Sequence, residues 1–273
     1  MKRFFSTILS IMVLTTSAMA QGMEQVNMQQ HDNIMAGDTK TGGKYIGKKK
    51  NGKMHGKGIY EWENGDTYEG DFADGQMEGY GRYTWVEGDI YQGDFKGGKQ
   101  EGYGKAFYTD KCNIYEGEWK NGKRNGNGKI TWANGDTYEG DWVDDMRTGE
   151  GVFTAANGVK YAGHYVNNHR QGVGTYFHNN GDHYEGMWEN DEKEGEGIYT
   201  YANGDRYEGH FRHSFIDGQG TFVWASGAIY IGQFTDNMRH GTGSYTTASG
   251  RVITGQWKNN LFDGDLKGII AGK

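Results

Sequence analysis

Seven of the nine histidines fall between His164 and His240, and histidine is the commonest side-chain ligand for transition metals. His164 and His210, however, sit at the same phase of a 23-residue periodicity, two periods apart. On paired strands that separation is roughly 20 Å, whereas a metal needs its ligands at about 2.1 Å. The carboxylates Glu69, Asp71, Asp94, Glu116, Glu118, Glu139 and Asp141 recur with the same period. Rungs that far apart cannot share a Ca²⁺ ion, so they are read as a solubilising face. His210 and His213 read as polar residues at a strand end and its turn. Cys112 is the single cysteine, so no intramolecular disulfide can form. No nucleophile–base constellation, phosphate loop or paired-cysteine spacing is present. The expectation is therefore no catalytic residue, no cofactor and no metal.

Two other residue classes could act on a partner. Lys44, Lys48, Lys49, Lys50, Lys53 and Lys57 concentrate positive charge near the start of the periodic region. Such a cluster suits anionic lipid headgroups, at about 1 kcal/mol per residue near a charged membrane. The reading preferred for it is a soluble cap on a sheet edge, where lysines block edge-to-edge pairing. The second class is aromatic: 19 Tyr, 12 Phe and 8 Trp. The rings singled out as groove candidates are Tyr68, Phe72, Tyr83, Trp85, Tyr91, Phe95, Tyr115, Trp119, Trp132, Tyr138, Trp142, Tyr184, Trp188, Tyr207 and Trp224. Most of these rings are expected primarily to hold the sheet, but a single layer cannot cover that face fully, and a stripe of exposed rings marks a partner site.

The elements that position these rings are read from self-similarity. Tyr-x-Gly recurs from Tyr45 at Tyr68, Tyr91, Tyr115, Tyr138, Tyr161, Tyr184, Tyr207 and Tyr230, with one step of 24 residues after Tyr91. Each copy is followed by a Gly-x-Gly pair, such as Gly79/Gly81 or Gly149/Gly151. A degenerate tenth copy starts at Ile253 and has Leu266 where its second glycine should be. Within a unit, Asp136–Trp142 and Gly149–Ala155 alternate with period two, the signature of strands. Asn51-Gly52 and Asn121-Gly122 favour turns that need positive φ. Asn-Gly-Asp returns the chain at Asn64, Asn134 and Asn203.

Alternation sorts the faces. Tyr68, Gly70 and Phe72 share one side of a first strand; Gly79, Gly81, Tyr83 and Trp85 share one side of a second. These sides are taken as one aromatic face, with glycines giving the rings room to lie flat. Acids and threonines occupy the other face, as in a one-sided antiparallel sheet. At about 4.8 Å per strand, each unit adds roughly 10 Å and nine units on the order of 90 Å.

Composition bounds the class. Gly numbers 48 of 273 residues and Pro none, and the net charge is −7. Leu, Ile, Val and Phe make up only about 15% of the chain, a share otherwise typical of disorder. The aromatic content and the repeats argue for a fold without an aliphatic core. An acidic body disfavours nucleic acid as a partner. Lys2-Arg3, the apolar run Phe4–Thr16 and Ala18-Met19-Ala20 read as a secretory signal peptide cleaved after Ala20. Its removal leaves a net charge near −9. The expected organisation is signal peptide 1–20, flexible leader 21–44, repeat array 45–267 and tail 268–273.

These motifs resemble the MORN repeat (membrane occupation and recognition nexus), a Y-x-G-x-[WF] pattern followed by G-x-G. Thr137-Tyr-Glu-Gly-Asp-Trp142 and Tyr184-Glu-Gly-Met-Trp188 carry the likeness, which extends from Tyr45 to about Lys267. The resemblance implies an all-β, elongated, single-layer twisted antiparallel sheet of tandem hairpins with an aromatic-lined groove. It also implies scaffolding, oligomer assembly or membrane association, with no catalysis by the repeats. Lys49 replaces the first unit's ring, and Ala155, His178 and Thr247 replace the late Trp of theirs. The stretch after Lys267 is expected to hold no catalytic domain. The leading expectation is a non-catalytic scaffold, exported to a bacterial periplasm, cell surface or medium. It would bind protein or envelope partners along the groove or assemble end to end. A lipid-associating module using the lysine cluster and a glycan-binding aromatic face are the alternatives.

Overall fold

The computed structural model describes residues 42–264. The expected signal peptide, the leader up to residue 41 and the tail lie outside the described residues, as does Leu266. From Lys44–Lys50 to Leu261–Phe262 there are twenty strands, with no helix among the described residues. Each strand pairs antiparallel with the next in sequence, forming one open sheet. The expected all-β sheet of tandem hairpins is what the chain forms.

The unit beginning at Tyr184 shows why. Its strands are His183–Glu189 and Glu192–Thr200. Asn190 and Asp191 join them with φ of 48° and 69°, a two-residue turn with both centres left-handed that matches the strands' own twist. Tyr184 lies opposite Tyr199 on one side and Tyr176 on the other, and Gly186 lies opposite Gly197 and Gly174. Residues directly opposite point to the same face, so rings align with rings and glycines with glycines. The ladder slips between Gly186 and Trp188. That bulge frees the Met187 carbonyl, which accepts a 2.9 Å hydrogen bond from the Tyr184 hydroxyl. The same bond to the residue three places on recurs at Tyr68, Tyr91, Tyr115, Tyr138, Tyr161, Tyr207 and Tyr230.

The glycines have two separate jobs. A Cβ on Gly197 would sit 2.7 Å from Cζ of Tyr184, and one on Gly186 would meet the Gly197 Cα at 2.6 Å. These two glycines are the floor on which the ring lies. Gly195 is different: its φ is +68°, and its nearest side-chain atom, Cβ of Met187, lies 3.7 Å from an added Cβ. The first glycine of each Gly-x-Gly pair is thus required by backbone conformation, not by ring space, which refines the expectation that all of them make room.

Flat rings then stack edge to face across the sheet. The run goes Tyr45, Phe72, Tyr68, Phe95, Tyr91, Trp119, Tyr115, Trp142, Tyr138, Tyr165, Tyr161, Trp188, Tyr184, Phe211, Tyr207, Phe234, Tyr230, Trp257, Phe262. Successive centroids are 4.9–5.5 Å apart and the planes 69–90°. Pairs of this geometry contribute about 0.5–1.5 kcal/mol each beyond their area. Trp119, Trp142, Trp188 and Trp257 each donate Nε1–H to a glycine carbonyl of the preceding unit. Lys49 leaves the first unit without its own second ring, so Tyr45 meets Phe72 of the next.

Both rims are latched from unit to unit. On the return-turn rim, Asp182 accepts the Ala202 N–H at 2.8 Å and the Tyr199 hydroxyl at 3.1 Å. Asp66, Asp136 and Asp205 do the same for Val86, Ala156 and Ala225. On the hairpin-turn rim, Asp191 accepts from the Arg170 backbone and side chain. Burial pushes both carboxyls up. The hydrogen bonds outweigh it: Ala202, Asn180 and Tyr199 hold Asp182, and the Arg170 N–H and His169 hold Asp191, below the ordinary carboxylate range.

Two outcomes are expected. At Gly195, Asn should be better tolerated than Ala because Asn accepts left-handed backbone, with Gly195→Ala costing about 1–2 kcal/mol. At Gly197 the order should reverse, because bulk is the fault there; Gly197→Ala should cost about 1–3 kcal/mol and Asn more. Urea unfolding of the four variants decides, and the same ranking at both sites would contradict the assignment. A depressed carboxyl stabilises above its unfolded pKa of about 3.9 and loses that contribution as pH falls through its folded pKa. The double variant Asp182→Asn/Asp191→Asn should therefore cost about 1 kcal/mol at pH 7. Its deficit relative to the wild type should shrink below about pH 4. Parallel stability curves from pH 7 to pH 2 would refute the latches.

Candidate binding groove

The aromatic face carries two rows of rings with different fates. Of the fifteen candidate rings, Tyr68, Phe72, Tyr83, Tyr91, Phe95, Tyr115, Trp119, Tyr138, Trp142, Tyr184, Trp188 and Tyr207 are buried, none more than 5% exposed. No partner can touch them while the sheet is intact. Sequence reasoning placed them on the right face with a role in holding the sheet; what buries them is flat, edge-to-face rings covering one another in a single layer. Trp85, Trp132 and Trp224 remain half-exposed. With Trp62, Phe153, Tyr176, His178, Tyr199, Tyr201, Phe222 and Tyr245, they form a second row built from the second strands and the turns that follow.

This row is best developed in the later units. Tyr176, His178, Tyr199, Tyr201, Phe222, Trp224 and Tyr245 follow one another with centroids 4.5–5.9 Å apart. In the middle units Ala106 and Ile130 stand where a ring otherwise is. The late position is held by whichever residue starts the return turn: Trp224 N–H bonds to the Ala228 carbonyl as His178 N–H does to Asp182. Burial lowers His178, and the charge of Lys193 lowers it further, so neutral imidazole is the form lining the groove. Burial, then the charge of Asp182, raises Tyr201 to about 12.

A cation row borders the rings, and sequence reasoning missed it. The position two after the hairpin turn carries Met54, Met77 and Gln100 in early units, then Arg124, Arg147, Arg170, Lys193, Ile216 and Arg239. The guanidinium of Arg170 lies 4.2 Å from the Trp188 ring centroid and 5.4 Å from that of Tyr176. Arg239 sits 4.6 Å from Trp257 and 5.5 Å from Tyr245. The signal was available as a basic residue every 23 positions, but each was hidden in a polar turn. Tyr165, where the other units after the first have Trp or Phe, has a buried hydroxyl without a partner.

The remaining candidates scatter. Lys44, Lys48, Lys49, Lys50, Lys53 and Lys57 are all exposed on the first two strands, at the sheet's first edge. Lys57 pairs with Asp71 at 3.3 Å. His164 and His210 each face a cross-strand carboxylate, Glu150 at 3.2 Å and Glu196 at 3.1 Å. His213 is bound to Glu192. Among the described residues no three acids, histidines or cysteines cluster as a metal site would need. Cys112 is exposed, with φ 50°, in the one expanded return turn. The face opposite the groove is less polar than expected: Tyr80 and Tyr103 lie on it, 54% and 56% exposed.

Among solved structures, the chain is similar to the TCP10 domain of Danio rerio CPAP in complex with a peptide of Danio rerio STIL. Identity there is 15%, coverage 78% of this chain and 94% of that one, and the TM-score 0.47. It is also similar to the Drosophila melanogaster SAS-4 TCP domain bound to a proline-rich motif of Ana2, with 15% identity, coverage of 62% and 90%, and a TM-score of 0.39. Likenesses that weak carry no argument about this chain. No curated protein matches it. The MORN repeat family model matches residues 45–67, 68–90, 91–112, 115–137, 138–160, 161–183, 184–206, 207–229, 230–250 and 254–264. These segments coincide with the hairpins and take in most of the sequence, and the chain belongs to the MORN repeat family.

Proposed function

We propose that the chain is a non-catalytic scaffold that docks a protein partner on its second ring row. The observation that carries this is the division of labour on one face. The first row is buried and holds the sheet; the second is half-exposed over several consecutive units. Contiguous rings left open to water are the surface that a partner stabilises by covering, and Tyr and Trp supply large contact area at low entropic cost. The rigid hairpin ladder beneath presents them without reorganisation, which favours affinity. The basic, apolar and small-residue run of the first twenty residues supports export, so the partner belongs to an envelope or extracellular compartment.

The test is site-directed photo-crosslinking in the native cell. A photoreactive phenylalanine at Tyr201, in the groove, should give a discrete protein adduct that is lost on Trp224→Ala. The same probe at Glu139, exposed on the opposite face, should not give it. Equal adducts from both faces, or none from the groove, would overturn the proposal, as would substrate turnover by the purified protein.

A further inference from the structure

We infer that the groove takes its partner through carboxylates: an acidic protein segment lies along the ring row and seats an Asp or Glu side chain against the Lys193 ammonium. This rests on the docking function proposed above and names the chemistry of what docks.

The cation row is unevenly neutralised. Arg124 and Arg170 form ion pairs with the turn carboxylates Asp145 and Asp191, at 2.9 and 3.1 Å. Arg147 and Arg239 instead bond to the neutral residues Asn168 and Asn260. Lys193 meets Ser214, whose hydroxyl takes the Lys193 backbone N–H at 3.1 Å. The three N–H donors of its ammonium have no acceptor among the described residues. An ammonium carries three donors and no acceptor of its own, and Nζ is not among the polar atoms closed off from solvent, so an incoming acceptor can reach it.

The surroundings define a seat. Nζ lies 4.8 Å from the Tyr199 ring centroid, 5.4 Å from Tyr184 and 5.6 Å from Phe211. Rings on that scale attract a cation but do not satisfy its hydrogen bonds. Burial, then the charge of Arg170, lowers the amine to about 8. Asp182 is the acid that opposes this shift, but its oxygens are already engaged by Ala202, Asn180 and Tyr199. An incoming carboxylate would meet the free donors, favour the charged amine further and contact the rings with its neighbours. Arg147, Lys193 and Arg239 stand two units apart, roughly 20 Å each. The aromatic face therefore presents unpaired positive charge at intervals on a chain of net charge −7. Complementarity of that kind selects an acidic segment and repels a basic one.

The test uses the purified protein and two synthetic 15-residue peptides, one of Glu-Gly-Leu repeats and one of Gln-Gly-Leu repeats. Inorganic phosphate and phosphatidylglycerol vesicles serve as other anions. Affinity is read from Trp fluorescence at low salt, and the Lys193 ammonium from its ¹⁵N signal during a pH titration. The Glu peptide should bind about tenfold more tightly to the wild type than to Lys193→Met. Lys193→Arg should retain most of the affinity. The Glu peptide, and not the Gln peptide, should raise the Lys193 titration. Equal binding of both peptides would overturn the carboxylate seat while leaving ring-row docking intact. Equal binding to Lys193→Met, or phosphate or vesicles displacing the Glu peptide from Lys193, would also overturn it. Should Lys193→Met fail to fold, the wild-type titration decides: an unmoved Lys193 signal in saturating Glu peptide refutes the seat.

Discussion

A tyrosine ring lying flat across two facing glycines, with its hydroxyl fixed to a carbonyl three residues on, is the contact on which the rest of the structure depends. It needs a glycine on its own strand, a glycine opposite, and a bulge that turns one carbonyl out of the ladder. Tyr184 over Gly186 and Gly197, bonded to Met187, has all three. Laying the ring down brings its edge to the next ring, so each unit's stability passes to its neighbours, as in other quasi-one-dimensional repeats. A protein with 48 glycines and almost no leucine gains a core in this way without a second layer.

The same contact explains why the face is divided. Once the first-strand rings lie flat, they are covered by one another and by the second-strand rings beside them. The last rings of each unit, at the start of the return turn, stack against second-strand rings: Trp224 meets Phe222 and Tyr245, and Trp132 meets Phe153. Both stay half-exposed. The cations fit the same scheme. Their charges lie over ring faces, and the arginine donors reach the turn of the next unit. Where that turn offers Asp the charge is neutralised, and where it offers Asn or Ser it is not.

Much of this was legible in the sequence. The Tyr-x-Gly and Gly-x-Gly periods located the nine hairpins that begin at Tyr45 through Tyr230, and period-two alternation put Tyr68, Phe72 and Tyr83 on one face. What was not legible depends on distances across strands. Alternation cannot tell a ring covered by Phe95, like Tyr68, from one left open, like Trp85. Nor can it tell that Gly195 serves φ while Gly197 serves space, since both are glycine at the same spacing. The cation row was overlooked because Arg170 and Lys193 look like turn residues until Asp191 and Ser214, 21 residues on, are placed beside them.

The two-row division is tested most directly by hydroxyl-radical footprinting of the eight tryptophans by mass spectrometry. Trp62, Trp85, Trp132 and Trp224 should oxidise readily, and Trp119, Trp142, Trp188 and Trp257, each no more than 5% exposed, should be protected until the protein unfolds. Uniform oxidation of all eight in the folded state, or protection of the first four in the isolated chain, would contradict a buried row that holds the sheet beside an open row that meets a partner.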